Sequence, residues 1–367
     1  MSFYDILKSY KNLDIHRYMN NVTDENILNS LQKDSLDEYD LLNLLSKKAT
    51  NYLELMAQKS NKLTNQYFGK TICLYTPMYI ANYCINKCVY CGYNLESGIK
   101  RKKLTMDEIK YEGEFISNEG FKHLLILTGE SNIHSDIKYI GEAVETLKYK
   151  FSSIGIEVYP MDEEAYEYLV DKGVDSLTVY QEVYDEGIYK KVHIKGPKSN
   201  YKYRLDAPER GAKAGMRSIS IGALLGLNDF REETFFTLLH GKYLRNKYPH
   251  VEISYSVPRI RPFKGCYDGI KEVNDTDLVQ AILCMRLFDN HGGINLSTRE
   301  SLDLRKNLIP LGITKLSAGV STDVGGHSQG GKDTSQFKIS DESNVEQVKT
   351  MLHSIGYQHV FKDWERF

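Results

Sequence analysis

Hydrophobic and polar positions follow two different rhythms along this chain. Before residue 70 the apolar residues recur at intervals of three and four, as in Leu41, Leu42, Leu44, Leu45, Leu53, Leu55 and Met56. This spacing predicts amphipathic helices. No boundary rich in Pro, Gly or Ser follows them, so residues 1–70 are expected to form a helical extension packed on the outside of the next domain. From Thr71 the pattern changes to short apolar runs separated by helical stretches. The runs are Ile72–Tyr75, His123–Leu127, Ile154–Tyr159, Ser176–Tyr180, Ser218–Ala223, Glu252–Val257, Ile294–Leu296 and Ile313–Leu316.

Helix signals stand between these strands. Thr105 and Glu108 have capping-box spacing. Phe236, Leu239 and Tyr243 mark the apolar face of a later helix, and Gly120, Gly173 and Gly215 sit where helices should stop. Eight strands alternating with helices predict an α/β fold, a closed (β/α)8 barrel over residues 71–367. A six-stranded open barrel is the alternative; the last two strands favour closure because they keep the rhythm. The glycine-rich stretch Gly319 to Gly331 reads as a linker or a lid, and a helix is expected near Glu342–Ser354.

Composition narrows the function classes. With 41% hydrophobic residues in 367, the chain can bury a full core. A net charge of −2 gives no electrostatic case for nucleic acid. No apolar run approaches the length of a membrane span, and Met1 to Ser9 has no signal-peptide pattern. Six cysteines in so long a chain do not make a disulfide scaffold, so a reducing compartment, the cytoplasm, is expected. The 27 tyrosines say nothing about a substrate.

Three of the cysteines carry the chemistry. Cys84, Cys88 and Cys91 follow the first strand in the stretch Cys84-Ile85-Asn86-Lys87-Cys88-Val89-Tyr90-Cys91, and no fourth cysteine follows within fifty residues. Three thiolates can hold a [4Fe-4S] cluster with one iron left open, and an open position lets a metal act on a ligand. A structural zinc site is the rival reading, with His123 or His134 as fourth ligand, though neither has compact zinc-knuckle spacing. Cys73, Cys266 and Cys284 are isolated and read as packing residues.

Barrel active sites lie at the carboxyl ends of the strands. Polar residues stand there in nearly every case: Thr128-Gly129-Glu130, Glu157, Gln181-Glu182, Arg259, Arg299 and Ser317. Each also has a plain structural reading. Glu130 can be a solvated turn residue, Glu182 a helix N-terminal charge, Arg204 a surface helix residue, and Arg299 a brace for Glu300. Gln181 and His193 read equally well as binding groups or as satisfied core polar groups.

The three-then-two cysteine spacing, with aromatic Tyr90 before the third, resembles the signature of radical S-adenosylmethionine (SAM) enzymes. Thr128-Gly129-Glu130 is similar to their Gly-Gly-Glu motif, with Thr128 in place of the first glycine. Longer stretches resemble the aromatic amino acid lyase branch, closest to the tyrosine lyases of thiamine biosynthesis. These are Val179–Tyr184, Tyr203–Arg210, Pro258–Pro262, Leu296–Ser301, Leu316–Gly319 and the terminal Lys362–Arg366.

The resemblance implies one [4Fe-4S] cluster on Cys84, Cys88 and Cys91, with SAM on its open iron. It implies SAM contacts from Thr128, Gly129, Glu130, Glu157, Glu182 and Arg204, and a tyrosine carboxylate on Arg299 and Ser317. The implied reaction splits the Cα–Cβ bond of L-tyrosine to p-cresol and 2-iminoacetate, with SAM converted to 5′-deoxyadenosine and methionine. The implied partners are a flavodoxin or ferredoxin-type reductant and thiazole synthase. The rivals are a tryptophan lyase, a non-catalytic iron–sulfur protein and the tyrosine lyases of hydrogenase maturation. The last carry a second cysteine-ligated cluster near their carboxyl end; no cysteine follows Cys284 here, so one cluster is expected.

Overall fold

A computed structural model describes residues 2–10, 13–265, 267–330, 333–362 and Trp364. Cys266, the end of the glycine-rich stretch at Gly331, and Asp363, Glu365 and Arg366 of the terminal motif lie outside the described residues.

All eight expected strands form. They are β1 (Thr71–Ala81), β2 (His123–Thr128), β3 (Ser153–Glu157), β4 (Ser176–Glu182), β5 (Ser218–Ala223), β6 (Glu252–Ser256), β7 (Gly293–Leu296) and β8 (Lys315–Ser317). Each pairs in parallel with the next, and β8 pairs back to β1 through Cys73↔Lys315, Leu74↔Leu316 and Tyr75↔Ser317. The sheet is therefore a closed (β/α)8 barrel. A ninth strand, β9 (Gln358–Val360), pairs with Thr71, Ile72 and Cys73 at the foot of β1. Inside the barrel, Asn295 donates to Ser220 and Ser254 at 3.0 and 3.2 Å, so the lower interior is a hydrogen-bonded polar layer.

The helix signals are realised. Thr105 and Glu108 form a capping box on the helix Met106–Asn118. Gly120, Gly173 and Gly215 all have positive φ and follow helices, as stop signals should. The amino-terminal helices pack on the barrel's outer layer. Gln280 donates to the Leu44 and Ser46 carbonyls, and Ser60 and Asn61 donate to Leu311 and Pro310. Phe3 stacks on His240 with ring centroids 4.1 Å apart. Of the periodic leucines, Leu41, Leu42, Leu44 and Leu45 are fully buried, whereas Leu55 is exposed.

β1 runs six residues beyond its expected end. Pro77 looks like a strand breaker, but a proline is tolerated where its missing N–H faces no ladder partner. The upper half of β1 pairs with β2 on one side, from Thr76↔Leu124 to Ala81↔Thr128. Its other side is covered by the chain after β8. Ala318 and Gly325 donate to the Tyr75 and Tyr79 carbonyls, and the His327 ring bonds Pro77 O at 2.8 Å. The stretch from Gly319 is thus neither linker nor free lid but a strap that completes the upper wall. Glu112, buried in Met106–Asn118, anchors it by accepting from His327 N, Ser328 N and the Ser328 hydroxyl. No helix among the described residues is long and apolar enough to cross a membrane.

Glu112→Ala would leave these donors without an acceptor, at roughly 1–3 kcal/mol for each one that stays buried. We expect a loss of about 2–4 kcal/mol in chemical denaturation, with protease cleavage appearing first between residues 319 and 330. Unchanged stability would show that the strap is held by something else.

Candidate functional site

The cysteine loop leaves β1 with little regular structure of its own. Its one ladder is a short antiparallel ribbon in which Lys87 and Cys88 pair with Lys195 and His193. Other segments supply the remaining bonds. Ile85 N donates to Glu130 O at 2.9 Å, Val89 N to Val192 O at 3.0 Å, and Gly92 N to Gln336 O at 3.2 Å. The approach at Gly129 is very close: a Cβ there would lie 2.3 Å from Tyr83 O, so only glycine lets β2's end pack under the loop entry.

The sulfurs sit among hydrogen-bond donors. Asn86 Nδ2 lies 3.6 Å from Cys84 Sγ, Gln336 Nε2 3.6 Å from Cys91 Sγ, and Tyr93 N 3.4 Å from Cys91 Sγ. Burial pushes the Cys88 thiol up to about 12, opposed by Lys198 and reinforced by the other two sulfurs. Cys91 is raised for the same reasons, burial first and Cys84 next. Cys88 and Cys91 thus need a cation to favour their thiolates, and with Cys84 beside them the donor set suits an iron–sulfur cluster. No three His, Cys, Asp or Glu side chains converge on a single-ion position among the described residues. A cluster instead takes one thiolate per iron. His134 stacks on Tyr83 with ring centroids 3.7 Å apart.

Asn86 ties the loop to the rest of the rim. Its amide donates to Glu130, and its carbonyl accepts from Lys198 N at 2.9 Å. Lys198 Nζ lies 2.8 Å from Glu182 Oε1, and Arg204 Nη2 3.4 Å from the same oxygen. Burial alone would raise the Glu182 carboxyl, but these two cations outweigh it and hold it below the usual range. Glu182 ends β4 at a bulge with φ of 70°, not at a helix N-terminus. Arg204 is buried and donates to Tyr180 O at 2.7 Å, so it is not a surface residue. His193 is buried too. Its Nδ1 bonds Tyr189 O, and its Nε2 lies 2.6 Å from the Tyr90 hydroxyl, which fixes that ring beside Cys91. Burial, Lys198 and Arg204 hold the imidazole neutral.

Two adjoining cavities open beneath this loop. One is lined by Tyr90, Cys91, Glu182 and Lys198, and the other runs into the barrel past Tyr75, Ser297 and Ser317. They share a wall made by Glu157, Tyr180, Pro258, Arg299, Gln336 and Phe337. Arg299 does not brace Glu300. That carboxylate is taken by Arg259 through Nε and Nη2 and by Arg261. The Arg299 guanidinium lies 3.6 Å over the Phe337 ring and, among the described residues, forms no ion pair. Ser317 Oγ accepts from Thr298 N at 3.1 Å and borders the deeper cavity only.

Thr128, Gly129, Glu130 and Arg204 line neither cavity; they support the walls. Two buried polar groups near them lack partners among the described residues, Thr128 Oγ1 and the Gln181 amide. Asn86, Lys198 and Gln336 escape sequence reading. Asn86 occupies a variable position of the cysteine motif, and Lys198 follows a Gly-Pro turn with no charge pattern to mark it.

Comparison with known proteins agrees with this geometry. Residues 78–238 match the Radical SAM superfamily, and residues 256–358 the Biotin and Thiamin Synthesis associated domain. The chain is 37% identical over 353 residues to 2-iminoacetate synthase of Salmonella typhimurium, covering 96% of this chain and 94% of that one. It is 37% identical to the Escherichia coli 2-iminoacetate synthase, with the same coverage. The chain belongs to the 2-iminoacetate synthase family of radical SAM enzymes. Among solved structures, HydG, a maturase of the [FeFe]-hydrogenase, superposes with a TM-score of 0.87 at 28% identity, covering 98% of this chain and 80% of that one. Methylornithine synthase (PylB), at 23% identity and a TM-score of 0.74 over 91% of this chain and 97% of that one, shares the fold.

Family membership and the packing at Gly129 make one outcome testable. Gly129→Ala should displace the loop entry, so that anaerobic reconstitution yields well under the four irons of one cluster while far-ultraviolet circular dichroism stays near the parent's. Full iron content in that variant would show that the contact with Tyr83 does not set the loop.

Proposed function

We propose that this protein is a tyrosine lyase. It splits the Cα–Cβ bond of L-tyrosine to 2-iminoacetate and p-cresol, with SAM consumed to methionine and 5′-deoxyadenosine. The observation that carries this reading is the shared wall. A cavity beside Cys91 adjoins a deeper one bordered by Arg299 and Ser317, so a cofactor in the first would touch a substrate in the second. Kinship with curated 2-iminoacetate synthases over nearly the whole chain supports it.

When bound, the reduced cluster and SAM would supply a 5′-deoxyadenosyl radical, which would take a hydrogen atom from the amino group of tyrosine. The chain's own part is to bind, orient and exclude water. Cys84, Cys88 and Cys91 hold the cluster, with Asn86 and Gln336 donating to two of the sulfurs. Glu182, set by Lys198 and Arg204, and Tyr90, set by His193, form the cofactor wall. Thr128, Gly129 and Glu130 support that wall from β2. Arg299 stands in the wall of both cavities; its Nη1 donates to Arg259 O at 3.2 Å, and with no ion pair among the described residues its charge is left for an amino acid carboxylate. Ser317 adds a hydroxyl at the same edge.

Two partners follow from this chemistry. A one-electron donor of flavodoxin or ferredoxin type must reach the cluster, and 2-iminoacetate must pass to thiazole synthase for thiamine. Hydrolysis of a free imine gives a reason for close hand-over.

Arg299 tests the substrate side. Arg299→Ala removes the partner of a buried carboxylate, at roughly 2–5 kcal/mol, or about 30-fold or more in the tyrosine dependence of p-cresol formation. Arg299→Lys keeps the charge but loses the fork, so it should fall between Ala and the parent. Both should retain iron and SAM binding. Normal tyrosine dependence together with a lowered melting temperature would reduce Arg299 to a structural role.

A further inference from the structure

The rim carboxylates nearly all have partners. Glu182 faces Lys198 and Arg204, Glu300 is held by Arg259 and Arg261, and Glu130 accepts from Asn86. Glu157, at the end of β3, is different. Among the described residues its carboxylate accepts no hydrogen bond and forms no ion pair, yet it stands in the wall shared by both cavities. The charged groups around it are Glu182 at the end of β4, Arg299 after β7, and Lys198 and Arg204 from the segment after β4. The phenols of Tyr75 and Tyr79 on β1 and of Tyr180 on β4 complete its surroundings. Burial, then the charge of Glu182, push the Glu157 carboxyl up to about 7 against the pull of the cations. A half-buried carboxylate without a partner, set in the wall of two cavities, is a group waiting for a ligand.

We infer that Glu157 is the base that takes a proton from the α-ammonium group of the bound amino acid before the radical step. This deepens the tyrosine-lyase reading and rests on it. An amino acid enters as an ammonium carboxylate, and a hydrogen atom leaves nitrogen far more readily from a neutral amine than from an ammonium. In the transfer one N–H bond breaks heterolytically, its electron pair stays on nitrogen, and the proton goes to a Glu157 oxygen. No electron changes hands. Charge balance is served as well: Arg299 keeps the substrate carboxylate, while the ammonium and Glu157 become neutral together. A free amino acid's ammonium, with its own carboxylate beside it, holds its proton to about pH 9, above a peptide's α-amino group, and a carboxyl near 7 is still close enough to accept it.

The test is Glu157→Gln, read by pH profile. Iron content and SAM affinity by calorimetry should match the parent, because the variant removes neither cluster ligand nor cation. At pH near 7, p-cresol formation should fall about 100-fold or more, as for loss of a general base. The rate should then climb about tenfold per pH unit and level off near pH 9, where the free amino acid's ammonium loses its own proton. The parent should show an acid limb, losing rate as pH falls through about 7 and Glu157 becomes protonated. A variant rate equal to the parent's, or a loss that does not recover with pH, would overturn the assignment. So would weakened SAM binding, which would place Glu157 on the cofactor. Should the Gln variant fail to fold, the parent's own profile decides, since absence of the acid limb also overturns it. A parent that makes no p-cresol at any pH would defeat the tyrosine-lyase reading instead.

Discussion

Eight residues from Cys84 to Cys91 must hold three thiols in fixed directions with almost no secondary structure of their own. The rest of the site follows from that constraint. A loop that cannot satisfy its own backbone must borrow partners, and this one borrows from three distant segments. The end of β2 supplies Glu130 O, the segment after β4 supplies Val192 O and the His193–Lys195 ribbon, and the strap supplies Gln336 O. The same segments carry the side chains that shape the cofactor cavity. Loop support and binding site are therefore one construction.

Charge placement sorts the rim into built and unfilled parts. Glu182 with Lys198 and Arg204, and Glu300 with Arg259 and Arg261, are closed groups in which every ion has an opposite. Burying such charges is tolerable only when they are paired. Arg299 and Glu157 share the wall of both cavities and have no such partner among the described residues. One offers a cation and the other an anion, which is the complement of an amino acid.

Much of this was legible in the chain. The cysteine spacing and the eight-strand rhythm are local signals, and the structure puts them where that reading expects; of the polar residues after the strands, Glu157, Glu182, Arg299 and Ser317 line the cavities, whereas Thr128, Gly129 and Glu130 lie behind them. Long-range contacts were not legible. The upper half of β1 was hidden because Pro77 reads as a breaker until the strap is seen to cover its edge. β9 is three residues long, too short for a periodicity. Lys198 and Gln336 matter only because the fold brings them to the loop, across more than a hundred residues. Glu112 left a faint trace, a carboxylate inside the apolar stripe of Ile109, Gly113 and Ile116. Arg204 and Glu182 were placed correctly along the chain, yet their plain alternatives, a surface residue and a helix-end charge, could be rejected only from burial and φ.

The central claim is that the wall shared by the two cavities, with Arg299 and Glu157 in it, would hold tyrosine so that a hydrogen on its amino nitrogen is the one transferred. The direct measurement is the isotopic mass of 5′-deoxyadenosine formed by the reduced, reconstituted protein with SAM and unlabelled tyrosine in D2O. The account predicts deuterium in the product, because the N–H protons exchange with solvent and one is the atom transferred. Product without deuterium in D2O, but labelled from tyrosine deuterated on carbon in ordinary water, would contradict it.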